Sequence, residues 1–149
     1  MVASPDDSNK TIYGLPSVNA EIEQTYFNWK AWPNMLDRGQ PPHLKKYHLT
    51  DLKPGEAKDL TGTAMTMTPY PLNHGGAEST AFLIESGDDA ILCFGDTGPD
   101  EVQKASNMQD IWKAVADKVR QQKLKAIILE TSYTSDRPDN LLFGHMTPK

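Results

Sequence analysis

Three features of the sequence predict a layered α/β fold. Two apolar segments, Thr80–Glu85 and Ala90–Phe94, read as buried strands joined by a Gly87-Asp88-Asp89 turn whose residues tolerate the positive φ of a short hairpin loop. The run from Asn107 to Gln122 places Met108, Ile111, Trp112, Val115, Ala116 and Val119 on one stripe at helical spacing, the signature of a helix covering a sheet. Leu124 to Leu129 then reads as a further buried strand. Strand, strand, helix, strand, with polar residues gathered at the strand ends, is the α/β pattern.

The remaining elements follow in order. Residues 1–10 form a polar loop, Thr11-Ile12-Tyr13 a short strand and Gly14-Leu15-Pro16 a turn. Ser17 is placed to cap a helix carrying Val18, Ile22, Tyr26 and Trp29 at helical spacing. The aromatic residues Tyr26, Phe27, Trp29 and Trp32 either pack that helix onto a sheet or offer a stacking surface to a flat ligand such as a purine. Asn34 to Pro42 is Pro/Gly-rich and loop-like, Tyr47 to Leu49 a short strand, and Asp51 to Asp59 a turn region. Thr61 to Thr68 fits a strand leading towards His74, ended by Pro69 and Pro71. Ser106 and Gln109 supply a capping box for the Asn107 helix. Beyond Leu129, a polar loop starting at Glu130 delivers His145.

At 149 residues the chain buries one moderate core, and no composition break marks a second independent domain. No apolar run approaches a membrane span, and the first residues lack the basic-then-apolar pattern of a signal peptide. Cys93 is the only cysteine, which rules out an intrachain disulfide. A net charge of −5 argues against a nucleic-acid duplex as partner. The one dense basic cluster, Lys118, Arg120, Lys123 and Lys125, reads as a solvated helix end.

The chemistry gathers at glycine-flanked positions. Asp96 lies in Gly95-Asp96-Thr97-Gly98 just past an apolar strand, where a sharp backbone turn can aim a side chain into a cleft. His74, in Asn73-His74-Gly75-Gly76, and His145, in Phe143-Gly144-His145, repeat the arrangement. Two imidazoles and a carboxylate suit zinc, manganese or iron, and a carboxylate can bridge two ions roughly 3.5–4 Å apart in a hydrolytic site. The spacing is wide, unlike a compact zinc motif, and Gly-Asp-Thr-Gly also makes a good turn. His43 and His48, without glycine neighbours, read as surface residues.

Five segments taken together resemble the class II cyclic-nucleotide phosphodiesterases: Ile12-Tyr13-Gly14-Leu15, Phe27-Asn28-Trp29 with Trp32-Pro33, Ser79 to Ile84, Phe94-Gly95-Asp96-Thr97-Gly98-Pro99-Asp100, and Arg137 to His145. The resemblance implies a metallo-β-lactamase-like αββα sandwich, of which residues 1–149 form a single partial domain. It implies hydrolysis of cyclic AMP, and of cyclic GMP in some members, at a site of two divalent ions, zinc first, with manganese or iron as alternatives. By match of motif His74 completes the first metal site, Asp96 bridges and takes part in catalysis, and His145 is the last ligand of the second. Thr97, Glu130, Thr131 and Arg137 match positions near the site, with Thr97, Glu130 and Arg137 expected to contact substrate.

The family's His-x-His-x-Asp-His motif is missing, and Met1-Val2-Ala3-Ser4-Pro5 resembles the residues that follow it, so the chain is expected to start just downstream. With three ligands remaining, the isolated chain is expected to hold metal weakly and to be nearly inactive. A sheet edge left open would be covered by a second copy, as a homodimer or a domain-swapped form. The rival readings are a non-enzymatic nucleotide- or partner-binding half-fold and another metallo-β-lactamase-fold hydrolase, such as a tRNA 3′-processing nuclease. Family members occur in the cytoplasm and the periplasm.

Overall fold

The structure is a computed structural model and describes residues 10–149; the Met1–Pro5 segment lies outside the described residues. The chain divides into two compact units, one ending at Lys53 and one running from Pro54 to Lys149, a division that composition does not show.

In the first unit, β1 (Lys10–Gly14) pairs in parallel with β2 (Tyr47–Asp51). Helix α1 (Pro16–Glu21) starts one residue before Ser17: Pro16 occupies its first turn, where a missing N–H costs nothing, and no side chain caps it. Asn19 on this helix is fully buried and donates to the carbonyls of Gly14 and Thr50, locking helix and strands together. The helix then widens into a π-turn, Ile22–Tyr26, and ends. Of the aromatic residues, Phe27 packs inward with its ring 6.0 Å from that of Tyr47, whereas Tyr26, Trp29 and Trp32 stay exposed. His43 and His48 are engaged locally, with the Gly39 carbonyl and the Asp37 carboxylate.

The second unit is a five-stranded sheet in the order β3-β4-β5-β6-β7: Lys58–Asp59, Met65–His74, Ala77–Ser86, Asp89–Phe94 and Leu124–Ile128. The first three pairings are antiparallel and β6–β7 is parallel. The β5–β6 hairpin has a two-residue loop, Gly87-Asp88, with Gly87 at φ +59°. Pro69 and Pro71 do not end β4, which runs on to His74. The carbonyl of Pro69 accepts from Gly55 N–H and that of Pro71 from the Asn107 amide. N and C=O of a strand residue face the same side, so both prolines turn their donor-less nitrogens away from β5 and cost no ladder bond.

Helix α3 (Asn107–Arg120) buries Met108, Ile111 and Val115 against Leu72, Ala81, Leu83, Ala90 and Leu92, forming the core of this unit. Trp112, its ring 5.3 Å from Phe94, and Val119 lie at the exposed margin of the stripe. The expected capping box does not form. Instead the Asp100 carboxylate, at the start of the short α2 (Asp100–Gln103), accepts from the N–H groups of Met108 and Gln109 at 3.1 and 2.9 Å. Ser106 donates to Asp110.

β7 was expected to be buried, yet Ile127 and Ile128 are 49% and 57% exposed. Among the described residues it is the last strand of the sheet, and nothing covers its outer edge. Each cation of the basic cluster meets a carboxylate: Lys118 with Glu85, Arg120 with Asp117, Lys123 with Asp88 and Lys125 with Asp89. Among the described residues, no helix is long and apolar enough to cross a membrane.

Candidate active site

Three separate segments deliver the candidate ligands to one place. His74 ends β4 at the Gly75-Gly76 turn, whose two glycines have φ of +63° and +95°, the pattern of a type I′ hairpin loop. Asp96 follows β6, and His145 closes the tight turn Leu142-Phe143-Gly144-His145. One donor atom from each of the three lies within 4.8 Å of the others, and among the described residues this is the group able to hold a metal ion. The three residues expected as ligands thus lie together, as a candidate group.

The backbone couples the segments. The Thr97 hydroxyl donates to Asn73 C=O at 3.1 Å and Gly98 N–H donates to the same carbonyl at 3.3 Å, so the loop carrying Asp96 is tied to the residue before His74. Thr97 is 1% exposed. Its hydroxyl is committed to this brace, where the sequence suggested contact with substrate. His74 Nδ1 lies 2.9 Å from Gly144 C=O, in the loop that carries His145. A carbonyl only accepts, so Nδ1 carries the proton and Nε2 keeps its lone pair for a ligand. Gly144 has φ +87°, and a Cβ there would lie 2.5 Å from Gly75 N and 2.7 Å from His74 C, so no side chain fits.

Glu130 performs the matching service for His145. Its Oε1 accepts from His145 Nδ1 at 3.0 Å and from Met146 N–H at 3.1 Å; its Oε2 accepts from Ser132 N–H at 2.8 Å and from the Ser132 hydroxyl at 2.7 Å. Its partial burial disfavours the charged carboxylate, but the bonds from Ser132, His145 and Met146 outweigh that and hold its pKa below the ordinary glutamate value. An ionised carboxylate is acceptor-only, which makes His145 Nδ1 the donor and leaves its Nε2 free. With four donors on its two oxygens, Glu130 is a clamp on a candidate ligand, where the resemblance suggested contact with substrate. The two imidazoles meet edge to face with centroids 4.6 Å apart.

Arg137, beyond this shell, sends Nε to Leu141 C=O at 3.0 Å, and its guanidinium carbon lies 4.6 Å from the Tyr133 ring centre and 5.8 Å from that of Phe143. Tyr133 in turn meets His145 edge to face at 5.9 Å. Thr131 is exposed. The clamp by Glu130 and the brace by Gly144 escape sequence reading because each acts over a gap set by the fold. The one trace is that both adjoin a suspected ligand or strand end.

Two imidazoles with free Nε2 atoms and one carboxylate oxygen are a donor set suited to a borderline divalent cation, and donors of a single ion lie no more than about 4.4 Å apart at ordinary bond lengths of roughly 2.0–2.2 Å. The observed spread fits one ion after slight closure, or a carboxylate spanning two.

The fold resembles that of the metallo-β-lactamase fold protein YhfI from Bacillus subtilis, at 17% identity and TM-score 0.55, over 93% of this chain and 44% of that one. Fold and donor set together define a metallo-β-lactamase-fold chain with a candidate divalent-metal site. The crystal structure of unliganded yeast PDE1 is more similar, at 28% identity and TM-score 0.80, over 94% of this chain and 40% of that one. A 3′,5′-cyclic-nucleotide phosphodiesterase of Aliivibrio fischeri is 46% identical over 149 residues, which is 99% of this chain and 45% of the relative. The family described as cAMP phosphodiesterases class-II matches residues 2–149, and the chain belongs to that family. It spans less than half the length of the curated relatives it matches.

Proposed function

We propose that this chain forms part of a metal-dependent 3′,5′-cyclic-nucleotide phosphodiesterase that converts cyclic AMP, and in some settings cyclic GMP, to the 5′-nucleotide. The observation that carries the reading is the convergence of His74, Asp96 and His145, each tied by its neighbours to another ligand's segment, in a chain of this family. His74 and His145 would each hold one of two ions, zinc being the best match to imidazole and carboxylate, and Asp96 would bridge them. Such ions, when bound, polarise the phosphoryl group and supply a water nucleophile at neutral pH. Arg137 would meet the anionic phosphodiester: its Nε is fixed on Leu141 C=O and its plane lies over Tyr133, which orients the outer nitrogens for a fork-like contact.

Three protein donors are few for two ions, so residues 1–149 by themselves should bind zinc weakly and turn over cyclic AMP slowly. The test is zinc or manganese titration of the purified chain together with a cyclic AMP hydrolysis assay. Zinc binding that is lost in Asp96→Asn and His145→Gln is expected; equal binding by these variants and the unaltered chain would refute the site. Among the described residues the outer edge of β7 has no strand paired to it and offers one to a second copy, so the chain should dimerise. A monomer by light scattering would count against that.

A further inference from the structure

Phe143 stands in a conformation and an environment that packing does not explain. His145 N–H donates to Leu142 C=O at 3.0 Å, closing a four-residue turn whose central residues, Phe143 and Gly144, have φ of +51° and +87°. Positive φ at both centres is the type I′ pattern, whose first central position favours Asn, Asp or Gly and disfavours a bulky side chain. The turn is anchored by its neighbour Leu142, which is 1% exposed, whereas Phe143 is 66% exposed. Its ring nonetheless has a defined partner, the Arg137 guanidinium 5.8 Å from its centre, and it stands two residues before the ligand His145. An aromatic ring held out into solvent at a conformational cost, beside a ligand and a cation, is arranged for a flat partner.

We propose that Phe143 is the platform on which the purine base of the bound nucleotide stacks, with Arg137 serving both as its cationic neighbour and as the grip on the phosphate. The proposal rests on the phosphodiesterase reading above. Every purine offers a π-face, so stacking would add affinity for the base without fixing adenine over guanine. An Arg137 reaching the phosphate and lying by Phe143 would span the two ends of a nucleotide.

The experiment compares adenosine 5′-monophosphate with ribose 5-phosphate, which keeps the phosphate and lacks the base, by titration into the zinc-loaded 149-residue chain. The unaltered chain should bind the nucleotide between about fivefold and a hundredfold more tightly, the range of one base–aromatic stack. Phe143→Asn, which suits the positive φ and removes the ring, should melt no lower than the unaltered chain yet bind both ligands alike; Phe143→Trp should keep the preference. Equal binding of the two ligands by the unaltered chain, or a preference that survives Phe143→Asn, overturns the platform while leaving the phosphate site standing. Binding of neither ligand by the zinc-loaded chain overturns the phosphate grip at Arg137, and the platform with it.

Discussion

Removing Glu130 should cost the site its second histidine as a ready ligand without unfolding the chain. The carboxylate is 15% exposed and accepts from His145, Met146 and Ser132, fixing the imidazole with its proton on Nδ1 and its lone pair on Nε2. In Glu130→Ala the nearest surviving acceptor for Nδ1 is the Ser132 hydroxyl, 3.2 Å away and neutral, so the ring regains both rotation and its alternative tautomer. Partners of this kind typically set metal affinity by 10- to 100-fold, equivalent to about 1.4–2.7 kcal/mol. Zinc affinity by competition titration should fall by that factor, and nitrogen NMR of the metal-free chain should show His145 moving from the Nδ1–H form to a mixture. Glu130→Gln keeps an acceptor oxygen in place and should recover most of the loss. An alanine variant with unchanged zinc affinity and an unchanged His145 tautomer would refute the clamp.

Gly144→Ala should abolish zinc binding and lower the melting temperature markedly, because its Cβ would meet Gly75 N at 2.5 Å; Gly87→Ala, also at positive φ but with open space around it, should cost only about 1–2 kcal/mol by the same assay. Asp100→Ala should destabilise by about 0.5–2 kcal/mol in urea unfolding through loss of the helix cap, while Ser106→Ala should change stability by less than about 0.5 kcal/mol. Leu92→Ala, at a fully buried centre of the second unit, should cost about 2–5 kcal/mol by the same unfolding measurement.

What the sequence made legible was local. The hairpin at Gly87 and the α3 stripe at Met108, Ile111 and Val115 could be read because each repeats a period within a dozen residues. The errors came where a distant partner decides the outcome. Pro69 and Pro71 look like strand breakers until Gly55 and Asn107 are seen to take their outward carbonyls. Ser106 and Gln109 form a sound capping motif, yet the Asp100 carboxylate, six residues before Ser106, reaches the same amides with a full charge and displaces them. Ile127 and Ile128 satisfy any apolar-strand rule, but burial needs a covering layer, and none is present among the described residues. His74, Asp96 and His145 could be suspected from their glycine neighbours; that they meet depends on the β4–β5 and β5–β6 registers and on a turn that returns His145 to the site 71 positions after His74.

Those glycines serve a purpose beyond local turning. Gly144 lets its own carbonyl approach His74 closely enough to orient it, and a side chain at that position would collide with the strand it braces. Gly95 packs against Ser79 and Thr80, where a Cβ would fall 2.6 Å from the Ser79 hydroxyl oxygen, and this brings the Asp96 loop down onto β5. Each candidate ligand is therefore located by contact with another candidate ligand's segment, and the contact distances depend on the missing side chains. A disturbance at any one loop should consequently reach the other donors, and the losses in zinc affinity of Glu130→Ala, which frees the His145 loop, and Thr97→Val, which frees the Asp96 loop, should simply add if the two braces are independent. If the site is held through both at once, the double variant should lose little more than the worse single one, and a thermodynamic cycle on zinc affinity distinguishes the two cases.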